Sequence, residues 1–163
     1  MLNWLRTNKI AMAILTVLRV YLGYQWLSSG FGKITGDTAF SAGGLINNIV
    51  ANPVTGPEGN ALYPAYNWFI ETFAAGNVEL FSFLVMWGEL LIGLGLIVGL
   101  FTKTAVFFGM VMNFAFLFGG TVSVNPLYIL IGFFIIVGGQ NAGKIGLDFY
   151  FRKFIASKAK STR

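Results

Sequence analysis

The sequence predicts an all-α integral membrane four-helix bundle, and three observations predict it. Hydrophobic residues make up 56% of the 163 residues and charged residues 10%, against about 25% charge in an ordinary soluble domain. Four apolar runs recur along the chain, separated by polar or glycine-rich breaks. Basic residues gather toward the two ends, the pattern of cytoplasmic segments under the positive-inside rule.

The first run, Ile10–Gly32, follows Arg6 and Lys9. Its length, and Arg19 and Trp26 within it, read as a retained signal-anchor helix rather than a cleaved leader. The second run is Val78–Leu100, with Asn77 as a candidate N-cap and Glu79 in the first turn. The third, Thr104–Phe118, follows a short connection and is an antiparallel neighbour of the second. The fourth is Pro126–Val137, where Asn125 and Pro126 read as a cap and a first-turn proline. One domain, 1–163, accommodates all four.

With the N-terminus inside, Lys103 and the basic tail 144–163 are cytoplasmic as well. That tail holds Lys144, Arg152, Lys153, Lys158, Lys160 and Arg163, and reads as a solvated, orienting segment. The net charge of +5 therefore speaks for membrane orientation and not for nucleic acid. Anionic lipid is a minor further partner of the tail.

The loop 34–77 falls outside and is long for a four-helix protein. From Pro64 to Ala75, helical spacing places Ala65, Trp68, Phe69, Thr72 and Phe73 on one face, with Gly76 as a stop. Leu45, Ile46, Ile49 and Val50 make a shorter stripe. Two amphipathic helices over the outer mouth are expected, either as aromatic anchors in the interface or as a lid over a ligand cavity.

The chain has neither Cys nor His. Disulfides, iron–sulfur clusters and thiol relays are excluded, and so is imidazole ligation of haem, zinc or copper. The Met residues are too scattered to suggest a metal site.

Arg19 carries the sharpest functional signal. A guanidinium at the centre of a bilayer costs about 2.5–3.5 kcal/mol on insertion scales, so a partner is required. Counting from the helix ends places Arg19, Glu89 and Asn113 at similar mid-depth, and predicts an Arg19–Glu89 pair with Asn113 beside it. Arg19, Gly23, Trp26, Gly30 and Lys33 share one face of the first helix, flanked by Tyr24 and Gln25. Glu89 and Arg19 are the catalytic candidates; Arg19, Lys33, Trp26, Gln25 and Asn113 are the substrate-binding candidates. Gly23, Gly30 and Gly93 are assigned to helix packing. An arginine there suits an oxyanion or a quinone carbonyl. A purely structural pair that fixes helix register is the competing reading.

Two stretches resemble the DoxX/DoxD-like membrane protein family. Leu18-Arg19-Val20-Tyr21-Leu22-Gly23, followed by Ser29-Gly30-Phe31-Gly32-Lys33, is similar to its first-helix pattern. Gly88-Glu89-Leu90-Leu91-Ile92-Gly93 through Gly99-Leu100-Phe101-Thr102 is similar to its second-helix pattern. The long first loop, with Asn52-Pro53-Val54 and the Trp68 segment, is closer to the DoxD-like branch. The resemblance implies four membrane helices and an oxidoreductase subunit that couples thiosulfate oxidation to a quinone together with a second subunit. It leaves a membrane quinone open as co-substrate, a second subunit and oligomerisation open as partners, and whether this chain is itself an enzyme open too. A non-catalytic adaptor or assembly factor is the alternative, and a small transporter a third class.

Overall fold

The computed structural model describes residues 1–161, with side chains through Lys158; the Lys160 side chain and Arg163 lie outside the described residues. Eight α-helices follow one another: α1 Leu2–Thr7, α2 Lys9–Thr35, α3 Gly43–Ala51, α4 Pro64–Phe69, α5 Val78–Val98, α6 Thr102–Phe118, α7 Asn125–Gly138 and α8 Leu147–Ser161. Among the described residues there is no strand, only an isolated bridge between Thr55 and Ala61.

The four apolar runs are α2, α5, α6 and α7, each end within three residues of the expected one. α2 packs along α5, α5 on α6, α6 on α7, and α7 back on α2. Leu15, Leu22, Trp26, Leu96, Val106 and Ile135 fill the space between them. Outside, Val17, Tyr24, Leu91, Phe107, Phe108 and Phe133 are exposed. Large apolar side chains turned outward on every long helix are a surface made for lipid rather than water.

Asn8 caps α2 by accepting from the amides of Ile10 and Ala11. At α5 Asn77 holds the N-cap position, but its side chain makes no cap bond and instead donates backwards to Phe73 O at 2.8 Å. Gly76 does not stop the helix before α5. A π-helical stretch, Ile70–Ala74, and a 3-10 turn, Ala75–Asn77, carry α4 into α5. Ala65, Trp68, Phe69, Thr72 and Phe73 share one exposed face of this segment, as their spacing predicts, while Asn67, Ile70 and Ala74 are buried on the opposite one.

α3 is where the loop 34–77 covers the long helices. Ile46 and Ile49 are buried, the Ala42 amide donates to Ser82 Oγ on α5 at 2.9 Å, and Ile49 packs over Gly119 after α6. α4 is tied to α6 by Tyr66 Oη donating to Ala115 O at 2.8 Å. The basic tail forms α8 from Leu147, with most of its described side chains exposed.

Candidate functional site

Arg19 and Glu89 do not meet. The α2–α5 register decides this. Gly23 faces Gly93, Leu96 and Ile97, Gly93 faces Leu27, and Gly30 faces Glu89 and Leu90. Antiparallel pairing on that register puts Arg19 beside Gly99 and lets Lys33 reach Glu89. Helix α2 has 27 residues and α5 has 21, about 40 and 32 Å at the α-helical rise. The N-terminal part of α2 overshoots α5 and packs on α1 and residues 141–143 instead. Counting depth from the ends of helices of unequal length therefore misplaced Arg19. Trp26, not Arg19, faces Gly109 near the middle of α6.

The predicted constellation separates into three places. In the first, Lys33 Nζ donates to Glu89 Oε2 at 2.6 Å and to Ser29 Oγ at 2.8 Å. Glu89 is almost fully buried, at 4% side-chain exposure, and Lys33 is at 24%. Lys33 Nζ also lies 5.3 Å from the Phe40 ring centroid, a cation–π contact. This pair lines a cavity of about 360 Å³ whose walls include Phe40, Ser41, Leu45, Val85, Phe116 and Asn125. α3 and the residues before it form one wall, so the loop 34–77 borders the pair.

In the second place, Trp26, Gln25 and Asn113 lie among the long helices. Gln25 Nε2 donates to Tyr128 Oη at 2.7 Å, and the Trp26 and Tyr128 rings are 6.5 Å apart. Trp26 Nε1 and Asn113 Oδ1 are buried without a hydrogen-bond partner. A donor and an acceptor left in this state carry a desolvation penalty of about 1–3 kcal/mol each. Asn113 is one helical turn from Phe116, which lines the cavity of the pair.

In the third place, Arg19 Nη2 donates to Ile145 O at 2.6 Å. Gly99 and Gly146 pack against the guanidinium, and Asp148 acts on it electrostatically. Asp148 also accepts from the amides of Phe101 and Thr102 at 2.8 and 3.1 Å, capping α6. Sequence reasoning missed Asp148; an acid isolated among the tail bases was its one signal. It also missed Phe40 and Ser41 as cavity walls, since their loop carries no motif, and Asn125, which it read as a helix cap but whose side chain donates to Thr121 O at 2.7 Å.

Gly23, Gly30 and Gly93 lie at the α2–α5 contact, where each gives room for the neighbouring helix. Among the described residues, no three His, Cys, Asp or Glu side chains gather as a metal site.

Outward apolar helices and an ion pair enclosed beside them define a membrane protein with a polar site in its interior. The family model for DoxX matches residues 14–121, which takes in most of α2 and all of α3 to α6, with both the Lys33–Glu89 pair and Arg19. The chain belongs to the DoxX family. Comparison with curated proteins and with solved structures gave no match.

Proposed function

We propose that α2, α5, α6 and α7 cross the bilayer as a four-helix bundle with both termini cytoplasmic, and that the chain is a DoxD-like oxidoreductase subunit that reduces a membrane quinone at the Lys33–Glu89 cavity. The observation that carries this reading is the ion pair itself, set in a mostly apolar cavity beside α3. An ammonium paired with a carboxylate offers no net charge. A small dianion is repelled by Glu89, whereas a neutral quinone head gains a hydrogen bond from Lys33 to its carbonyl oxygen.

Reduction of a quinone to a quinol takes two electrons and two protons. Once Lys33 turns to the carbonyl, Glu89 loses its partner, takes up a proton from solvent and passes it to one developing hydroxyl, and the second proton comes from solvent as well. The electrons come from a small reductant. Thiosulfate supplies two when two anions join through a new sulfur–sulfur bond. With no Cys or His in the chain, they pass directly between bound molecules or through the second subunit. The unpartnered Trp26 Nε1 and Asn113 Oδ1 support a polar ligand reaching the interior.

The test is quinone binding by the folded chain in nanodiscs, followed by thiosulfate-dependent quinone reduction in vesicles. Glu89→Gln is expected to lower the rate by about 10²-fold or more, the scale of general acid–base catalysis, while the quinone still binds. Absence of quinone binding by folded wild-type protein overturns the reading.

The adaptor reading rests on a different observation, the use of Arg19 to hold the backbone at Ile145. Under it, a folded Lys33→Met/Glu89→Leu protein keeps full cellular function.

A further inference from the structure

We propose that the groove between α1 and α8 is a phosphate-ester site that takes the headgroup of an anionic phospholipid. Arg6 from α1, Gln140 and Asn141 from the turn after α7, and Lys144, Arg152 and Lys153 around the start of α8 line one cavity of about 360 Å³. Among the described residues, no carboxylate lines it. Asp148, the acid that opens α8, directs its two oxygens to the amides of Phe101 and Thr102.

The cavity is held by specific contacts. Asn141 is buried, at 2% exposure, and its Nδ2 donates to Leu5 O and Asn8 O at 2.9 and 3.0 Å. This fixes α1 against the turn. Arg6 Nε donates to Val137 O at 3.1 Å, which keeps the guanidinium at the rim. Lys153 Nζ sits 4.5 Å from the Phe149 ring centroid. A second hollow, with Arg6 and Lys103 in its walls, shares Arg6 and Gln140 with the first. A phosphate diester carries the charge and acceptor oxygens that such donors select.

The apolar surroundings favour a lipid as the source of the phosphate. Leu2 and Trp4 on α1, and Tyr150, Phe154 and Ile155 on α8, are exposed next to these bases. Bases interleaved with outward aromatics place a helix at the headgroup–acyl boundary, where anionic lipid is the abundant phosphate. The bases alone would be a diffuse patch; the walled cavity makes them a site.

The test uses the full-length protein in nanodiscs of phosphatidylglycerol, phosphatidylcholine or their mixture, with bound lipid counted by native mass spectrometry. Wild type is expected to retain phosphatidylglycerol over phosphatidylcholine. Arg152→Gln/Lys153→Gln should lose that retention on the order of tenfold. Lys9→Gln/Lys158→Gln removes the same charge outside the cavity and should keep it. Equal loss in both variants means diffuse attraction and overturns the site. Displacement of the lipid by millimolar inorganic phosphate overturns the lipid as occupant. Lys144→Gln, which changes one rim side chain in a turn, carries the same expectation if the double variant does not fold.

Discussion

Lys33 on α2 and Glu89 on α5 stand 2.6 Å apart, 56 residues distant in sequence, and their burial is unequal. That inequality predicts unequal mutants. Glu89→Gln leaves Lys33, whose long stem lets the ammonium turn toward the aqueous side. Lys33→Met leaves a carboxylate at 4% exposure with no such escape. Lys33→Met should therefore lose about 3 kcal/mol, and Glu89→Gln clearly less. Thermal unfolding in one detergent measures both. Equal losses would mean that both ends of the pair reach water alike.

The helices were legible in the sequence and the partner of Glu89 was not. The four long helices show as apolar runs, and Pro126 marks the first turn of α7 through local chemistry alone; the Asn8 cap and the Gly99 turn emerge only in the structure. Pairing depends on register, which here is set by Gly23, Gly30 and Gly93 against particular turns of the opposite helix. A sequence shows that glycines permit close approach without showing to which turn. The enclosure of the pair by residues 40–45 likewise depends on long-range contacts such as Ala42 to Ser82. That Lys33 shares a helical face with Gly30 was legible from spacing; what could not be read was the depth of Arg19.

The same register predicts which glycines tolerate a methyl group. A Cβ on Gly30 would come 2.5 Å from Leu90 N, and one on Gly23 would come 2.9 Å from Ile97 N. Both obstacles are backbone and cannot rotate away. Gly30→Ala and Gly23→Ala should each destabilise by about 1–3 kcal/mol. Gly32, in the same helix, has nothing within 4 Å of its added Cβ. Gly32→Ala should be neutral or stabilise by about 0.5–1 kcal/mol through helix propensity. Chemical unfolding of the three variants side by side decides it, and a destabilised Gly32→Ala would contradict the observed register.

Asp148 joins the start of α8 to the start of α6 through two amide hydrogen bonds. Asp148→Ala removes both acceptors and a favourable negative charge at a helix N-terminus. A loss of about 1–2 kcal/mol is expected, the upper range for a helix cap. Hydrogen exchange should quicken first at the amides of Phe101 and Thr102 and at residues 144–150, leaving the α2–α5 contact protected. Uniform quickening along the chain would argue instead that Asp148 supports the whole fold.

Gly99 ends α5 in the left-handed region, at φ 69°, directly against the Arg19 guanidinium. An alanine there meets two penalties. The left-handed conformation disfavours a Cβ by roughly 1 kcal/mol, and the Cβ would collide with Arg19, an overpacking of about 1–3 kcal/mol. Gly95→Ala is the control, since its nearest contacts stand at 3.2 and 3.4 Å. Gly99→Ala should destabilise more than Gly95→Ala, and Arg19→Ala should relieve part of the loss when the two are combined. The collision disappears with the guanidinium while the backbone strain stays. A double-mutant cycle measured by thermal unfolding should then show coupling above about 0.5 kcal/mol. Strict additivity would mean that Arg19 is held by Ile145 O alone and that Gly99 serves only the turn.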